Sequence, residues 1–159
     1  MIVNRQRRVR VSLRSLERFF ELARKRLRIP AGSVTVCLVS NSEIARWNAS
    51  YRGKRGPTDV LSFSTNGSVF SRPKGKTRAQ RSSECSSRRD APALFYLGDI
   101  AIAPAVARRN ALSSGRPFTD EMRVLILHGM LHLMGHDHET DEGQMDRRER
   151  QLRRELGLA

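Results

Sequence analysis

From Met122 to Met134 the chain carries Met122, Val124, Leu125, Ile126, Leu127, Met130, Leu131, Leu133 and Met134, apolar residues spread nearly all the way round a helix. A helix with no polar face belongs in the interior, so this one is expected to be buried with the other elements arranged about it. Thr119 stands at its start as a candidate cap, and Asp120 and Glu121 fall in the first turn, where the positive end of the helix dipole favours acidic groups. Two histidines, His128 and His132, interrupt the apolar surface four residues apart. That spacing puts both imidazoles on one face, one turn above the other.

All four histidines of the protein fall between His128 and His138. Written out, the segment is H-x3-H-x2-G-x2-H, the ligand spacing of a catalytic zinc site. Gly135 lies where the helix can end in a left-handed turn, and a chain reversing there can bring His138 back towards His128 and His132. Three nitrogens and one open position suit a water-activating zinc, one ion per chain. Core or surface histidines with satisfied hydrogen bonds are the plainer alternative. Against it stands the cost of an unpaired imidazole on an apolar face. His136 points to solvent, to substrate or to a role behind the ligands, and Asp137 is a candidate to orient a ligand histidine through its other ring nitrogen.

Zinc peptidases carry H-E-x-x-H, with the glutamate as general base. Here that position is Gly129, so peptide hydrolysis by that route is excluded. A glycine inside a helix costs about 1 kcal/mol relative to alanine. It either leaves room beside the metal for a bulky group or a close backbone approach, or it eases helix packing.

The 159 residues include 30 Lys+Arg against 16 Asp+Glu, a net charge of +14, with 38% hydrophobic residues. A chain of this length buries enough surface to fold as one domain without disulfides or partners. Residues 1–30 hold ten basic side chains against Glu17 and Glu21, and residues 65–92 hold seven against Glu84 and Asp90, whereas residues 93–159 are nearly neutral. Charge concentrated in this way predicts attraction to polyanions such as nucleic acid. No apolar run reaches the roughly 20 residues of a membrane span, and no secretory h-region is present, so neither membrane insertion nor secretion is expected. Cys37 and Cys85 are the only cysteines and lie far apart, which suggests a reducing, cytoplasmic compartment.

Val9 and Val11 alternate with Arg8 and Arg10 as in a strand, and Ser12 is placed to cap a helix carrying Leu13, Leu16, Phe19, Phe20, Ala23 and Leu27 on one face. Val34 to Val39 reads as a β-branched strand. Ser40 with Glu43 forms a capping box for a helix through about Ser50. Val60 to Phe63 and Leu94 to Ile102 are further strands, the second interrupted by Gly98-Asp99. Residues 65–92, rich in Ser, Arg, Lys, Gly and Pro, read as a mobile loop inserted between them. Short and long helices from Ala105 and Thr119 follow, and a last helix runs from about Asp141 to Leu156 with Met145, Leu152 and Leu156 inward. The elements add up to one α+β domain, helices packed on a small sheet, with the histidines at the end of the buried helix.

A basic loop, Tyr51-Arg52-Gly53-Lys54-Arg55-Gly56-Pro57-Thr58-Asp59, precedes the strand at Val60. Its Arg52 guanidinium is suited to bidentate phosphate contact, with Lys54 and Arg55 beside it, while Thr58 and Asp59 read as turn formers.

Three stretches resemble the YbeY family of metal-dependent endoribonucleases: Tyr51-Arg52-Gly53-Lys54 with Pro57 to Phe63, Leu97-Gly98-Asp99-Ile100, and His128 through His138. The likeness runs in order from about Ile2 to Leu156 apart from the insert. The resemblance implies a mixed four-stranded sheet with about five helices over residues 1–159, zinc on His128, His132 and His138, and Arg52 facing the metal across a basic cleft. It also implies a single-strand-specific endoribonuclease acting in 16S rRNA 3′-end maturation and ribosome quality control. Its partners would be ribosomal RNA and the small ribosomal subunit, with neither DNA nor a membrane among them. The insert is longer and more basic than is usual in the family, and Ser64 replaces a common proline. The alternative is a non-catalytic assembly factor whose zinc is structural, its shell closed by His136 or Asp137.

Overall fold

The strand β2 (Val34–Leu38) is buried along its whole length, as a β-branched run covered on both faces should be. The computed structural model describes residues 1–65, 96–136 and 143–158. The basic insert read from the sequence therefore lies almost wholly outside the described residues, as do Asp137 and His138. Within them, β1 (Ile2–Asn4), β2, β3 (Val60–Ser64) and β4 (Gly98–Ile102) form one sheet in the order β1-β2-β4-β3. β1 and β4 run parallel to β2, and β3 runs antiparallel to β4, with Phe63 opposite Asp99 and Ser62 opposite Ile100. This is the mixed four-stranded sheet expected of the family.

One face of the sheet is covered by α1 (Leu13–Arg26) and α4 (Phe118–Leu133), and both α5 (Gln144–Glu155) and α3 (Pro104–Ser113) pack on α4. Val36, Leu38, Ile100 and Ile102 point into that core, together with Phe20 of α1 and Leu127 of α4. The other face carries α2 (Asn41–Trp47), whose Ile44 and Trp47 cover Cys37, Val39, Leu61 and Ala101. Cys37 is fully buried on this face, and Cys85, the other cysteine, lies outside the described residues. No described helix is long and apolar enough to cross a membrane.

The all-round apolar pattern of α4 is matched by its placement: it packs on β3, β4, α1, α3 and α5, and Met122, Ile126, Leu127, Met130 and Leu131 are fully buried. Each such side chain contributes roughly 1.5–3 kcal/mol of transfer free energy. The capping box is also present, Ser40 accepting from the Glu43 amide while the Glu43 carboxylate accepts from Ser40.

Four local expectations differ from the structure. Val9 and Val11 are not in a strand, because the buried Gln6 side chain takes both backbone hydrogen bonds of Val9, donating to its carbonyl and accepting from its amide at 2.9 Å each. Ser12 occupies the cap position of α1 without a capping hydrogen bond. Thr119 lies inside α4, whose cap is Pro117; the proline carbonyl accepts from the amides of Asp120 and Glu121. Gly98-Asp99 does not interrupt the fourth strand but begins it.

Two glycines allow close approaches that any side chain would block. A Cβ on Gly98, whose φ is +146°, would sit 2.0 Å from the Phe63 carbonyl oxygen of the neighbouring strand. At Gly129 a Cβ would meet the Ile100 side chain at 2.7 Å. Gly129 therefore faces the sheet rather than a space beside the histidines, which selects the packing reading over the one that reserves room for a bulky group. Gly98→Ala is expected to destabilise far more than Gly129→Ala, since a backbone carbonyl cannot swing aside as an isoleucine can. The second change trades about 1–3 kcal/mol of overpacking against about 1 kcal/mol of regained helix propensity. Urea unfolding of both variants checks this, and equal losses would contradict it.

Candidate active site

His128 and His132 occupy the last two turns of α4, and the tertiary packing brings their Nε2 atoms to 3.0 Å. The rings stand edge to face, 4.6 Å between centroids. Donors bound to a tetrahedral zinc at about 2.0–2.1 Å lie about 3.3 Å apart, so the two nitrogens are near the separation one ion requires. His132 is buried and His128 half-exposed, which leaves one side of the pair open to approach. Immediately beyond, the helix closes in a Schellman turn: Gly135 has φ +88°, its amide donates to His132, and the His136 amide donates to Leu131. His136 is half-buried just past this reversal. The remaining expected donor, His138, and Asp137 lie outside the described residues.

Behind His128 stands a group that sequence reasoning missed. The Nδ1 of His128 is 2.9 Å from Oε2 of Glu149 on α5, and Oε1 of Glu149 pairs with Arg153 one turn further along. Glu149 is buried. Burial alone would raise its pKa, but the contacts from His128 and Arg153 prevail and hold the carboxyl below its ordinary value. A signal was present: Glu149 falls between Met145 and Leu152, at a position where the inner stripe of α5 calls for an apolar residue.

Arg52 is placed by a different device. After α2 the helix widens into a single π-helical turn, Asn48–Arg52, which ends at Gly53. The buried Asn48 donates to the Gly56 carbonyl at 2.9 Å, fixing the loop that carries the exposed Lys54 and Arg55. Tyr51 packs edge-on against Phe63, 5.1 Å between centroids, and Trp47 meets the same ring at 6.0 Å. Phe63 and Ser62 are adjacent in β3 and face opposite sides of the sheet. Ser62 points to α4, its hydroxyl 3.5 Å from the Gly129 carbonyl. β3 thus supports the arginine turn on one face and the histidine helix on the other. Asp59 acts as the turn former expected of it, accepting from Thr58, from the Val60 amide and from Asn110 of α3.

A second polar cluster lies on the face of the sheet opposite α4. Tyr96 donates to Asp99 at 2.5 Å, and its hydroxyl lies 3.0 Å from that of Thr35. Burial raises the Asp99 pKa, opposed by the Tyr96 hydrogen bond, and burial with the Asp99 contact raises that of Tyr96.

The fold and this site define an α+β protein built round a central helix that ends in converging imidazoles. The family model for endoribonuclease YbeY matches residues 1–157. An endoribonuclease YbeY of Koribacter versatilis is 36% identical over 160 residues, covering 99% of this chain and 86% of its own. One from Francisella philomiragia is 34% identical over 146 residues, covering 91% and 82%. The solution structure of TM1509 from Thermotoga maritima superposes with a TM-score of 0.57 at 25% identity, over 98% of this chain and 89% of that one. The chain belongs to the YbeY endoribonuclease family.

The half-buried Asp99 makes a pH prediction. The unfolded chain ionises this carboxyl near pH 3.9, and the folded chain does so at a higher pH. Stability is therefore lost as pH rises through the interval between the two values, and stays lower above it. Asp99→Asn keeps an oxygen to accept from Tyr96 and is expected to be more stable than the parent at pH 7 but not at pH 3. Chemical unfolding at both pH values reads this, and a variant weaker at pH 7 would contradict it.

Proposed function

We propose that this protein is a zinc-dependent, single-strand-specific endoribonuclease of ribosomal RNA, acting in 16S rRNA 3′-end maturation and ribosome quality control. The observation that carries the metal reading is the 3.0 Å convergence of the two Nε2 atoms at the end of α4. Membership of a family named for endoribonucleases supports the reaction class. His128, His132 and His138 would hold zinc, which when bound supplies Lewis acidity at the scissile phosphate and lowers the pKa of a coordinated water. Arg52 offers a bidentate guanidinium to the phosphate and neutralises charge that grows in the transition state. Lys54 and Arg55, exposed on the loop that Asn48 fixes, hold neighbouring phosphates. The attacking group is either water or the adjacent 2′-hydroxyl, which leave different end groups.

The small ribosomal subunit is the proposed partner, because contacts to phosphate carry no sequence information. The ten basic residues of the first thirty extend the same electrostatic attraction, so RNA affinity should fall steeply with salt. A cytoplasmic location follows from the substrate.

Zinc content and cleavage of single-stranded RNA, measured on the same sample, test the proposal. About one zinc per chain is expected. His132→Ala should lose both zinc and cleavage. Arg52→Ala should keep zinc and fold while cleavage falls about 10²-fold or more, the loss typical of a removed transition-state donor. Zinc with no cleavage of naked RNA or of ribosomal subunits would favour the non-catalytic assembly factor instead.

A further inference from the structure

We propose that Glu149 is the positioning residue of the metal centre, holding His128 in the one tautomer and ring orientation that presents Nε2 towards His132. The proposal rests on the reading of His128 and His132 as metal ligands. An ionised carboxylate only accepts hydrogen bonds. With Oε2 of Glu149 2.9 Å from Nδ1 of His128, the proton of the neutral ring stays on Nδ1, and the lone pair on Nε2 is the one directed at the 3.0 Å approach to His132.

The location of Glu149 argues for this role. Its relative exposure is 5%, and its helical neighbours on the inner face of α5, Met145 and Leu152, are at 0%. A carboxylate in such a stripe is costly unless every oxygen has a partner. Both have one: Oε2 meets His128, and Oε1 meets Arg153, which supplies the compensating charge from one turn along the same helix. Arg153 is itself partly exposed, so α5 presents a chain of charge that begins in solvent and ends on the imidazole. The pairing also joins α5 to the last turns of α4, on either side of the segment that carries His138.

A merely structural Glu149 is a separate possibility with different consequences. Buried ion pairs exchanged for apolar side chains of similar size are commonly neutral or stabilising. The double variant Glu149→Leu/Arg153→Met should therefore fold with an unfolding midpoint at or above that of the parent, measured without metal. A purely structural role ends there.

The positioning role requires more. In Glu149→Gln and in the double variant, zinc affinity by chelator competition should fall about 10–100-fold, the usual loss when the group behind a ligand histidine is removed. In the metal-free protein, long-range proton–nitrogen correlation should show His128 protonated on Nδ1 in the parent. It should show a mixture of tautomers in Glu149→Gln, since a glutamine can present either its oxygen or its amide. Unchanged zinc affinity and an unchanged tautomer in folded variants would overturn the proposal. Failure of the parent to bind zinc is a distinct result, which overturns the ligand reading and this inference with it.

Discussion

The close seating of α4 on the sheet is the constraint on which the remaining structure depends. A helix with apolar residues on every side is stable only if every side is covered, and here the sheet, α1, α3 and α5 cover it. At Gly129 the backbone itself is the contact surface: Ile100 fills the place of a side chain, and Ser62 brings its hydroxyl to that residue's buried carbonyl. His128 and His132 sit beside this contact. Their positions are therefore set by a close helix–sheet contact rather than by a loop.

The sheet then relates the histidines to the basic turn. Alternation along β3 sends Ser62 to the α4 face and Phe63 to the opposite one, where Trp47 and Tyr51 pack on it. The π-helical turn that follows α2 delivers Arg52 at its end, and the buried Asn48 ties down the residues beyond. α5 contributes from the other direction, with a carboxylate placed against the imidazole of His128. The end of α4, the turn before β3 and the terminal helix each bring one component.

Much of the fold was legible wherever one periodicity dominated. The all-apolar run from Met122 announced a buried helix, the β-branched run at Val34 a doubly covered strand, and Ser40 with Glu43 the start of α2. The misreadings arose where a side chain or a carbonyl took over a role assigned to the backbone pattern. Gln6 replaced a strand partner for Val9, the Pro117 carbonyl replaced the expected Thr119 cap, and the glycine at 98 marked a close strand pairing rather than a break. In the candidate site the histidine spacing was visible and Glu149 was not, although a charged residue in an apolar stripe was a usable sign.

By itself, the sequence determined the helical spacing that puts His128 and His132 on one face, the reversal at Gly135, the uneven distribution of positive charge and the identity of the core. These depend on local stereochemistry and on burial, which act over a few residues. Only the tertiary structure decided which nitrogen of His128 is held from behind, that Gly129 serves the sheet, and that Asp99 carries its charge under cover beside Tyr96. The first two join residues far apart in the chain, and all three act through hydrogen bonds or packing whose value depends on distance and dielectric, and neither quantity exists until the chain has folded.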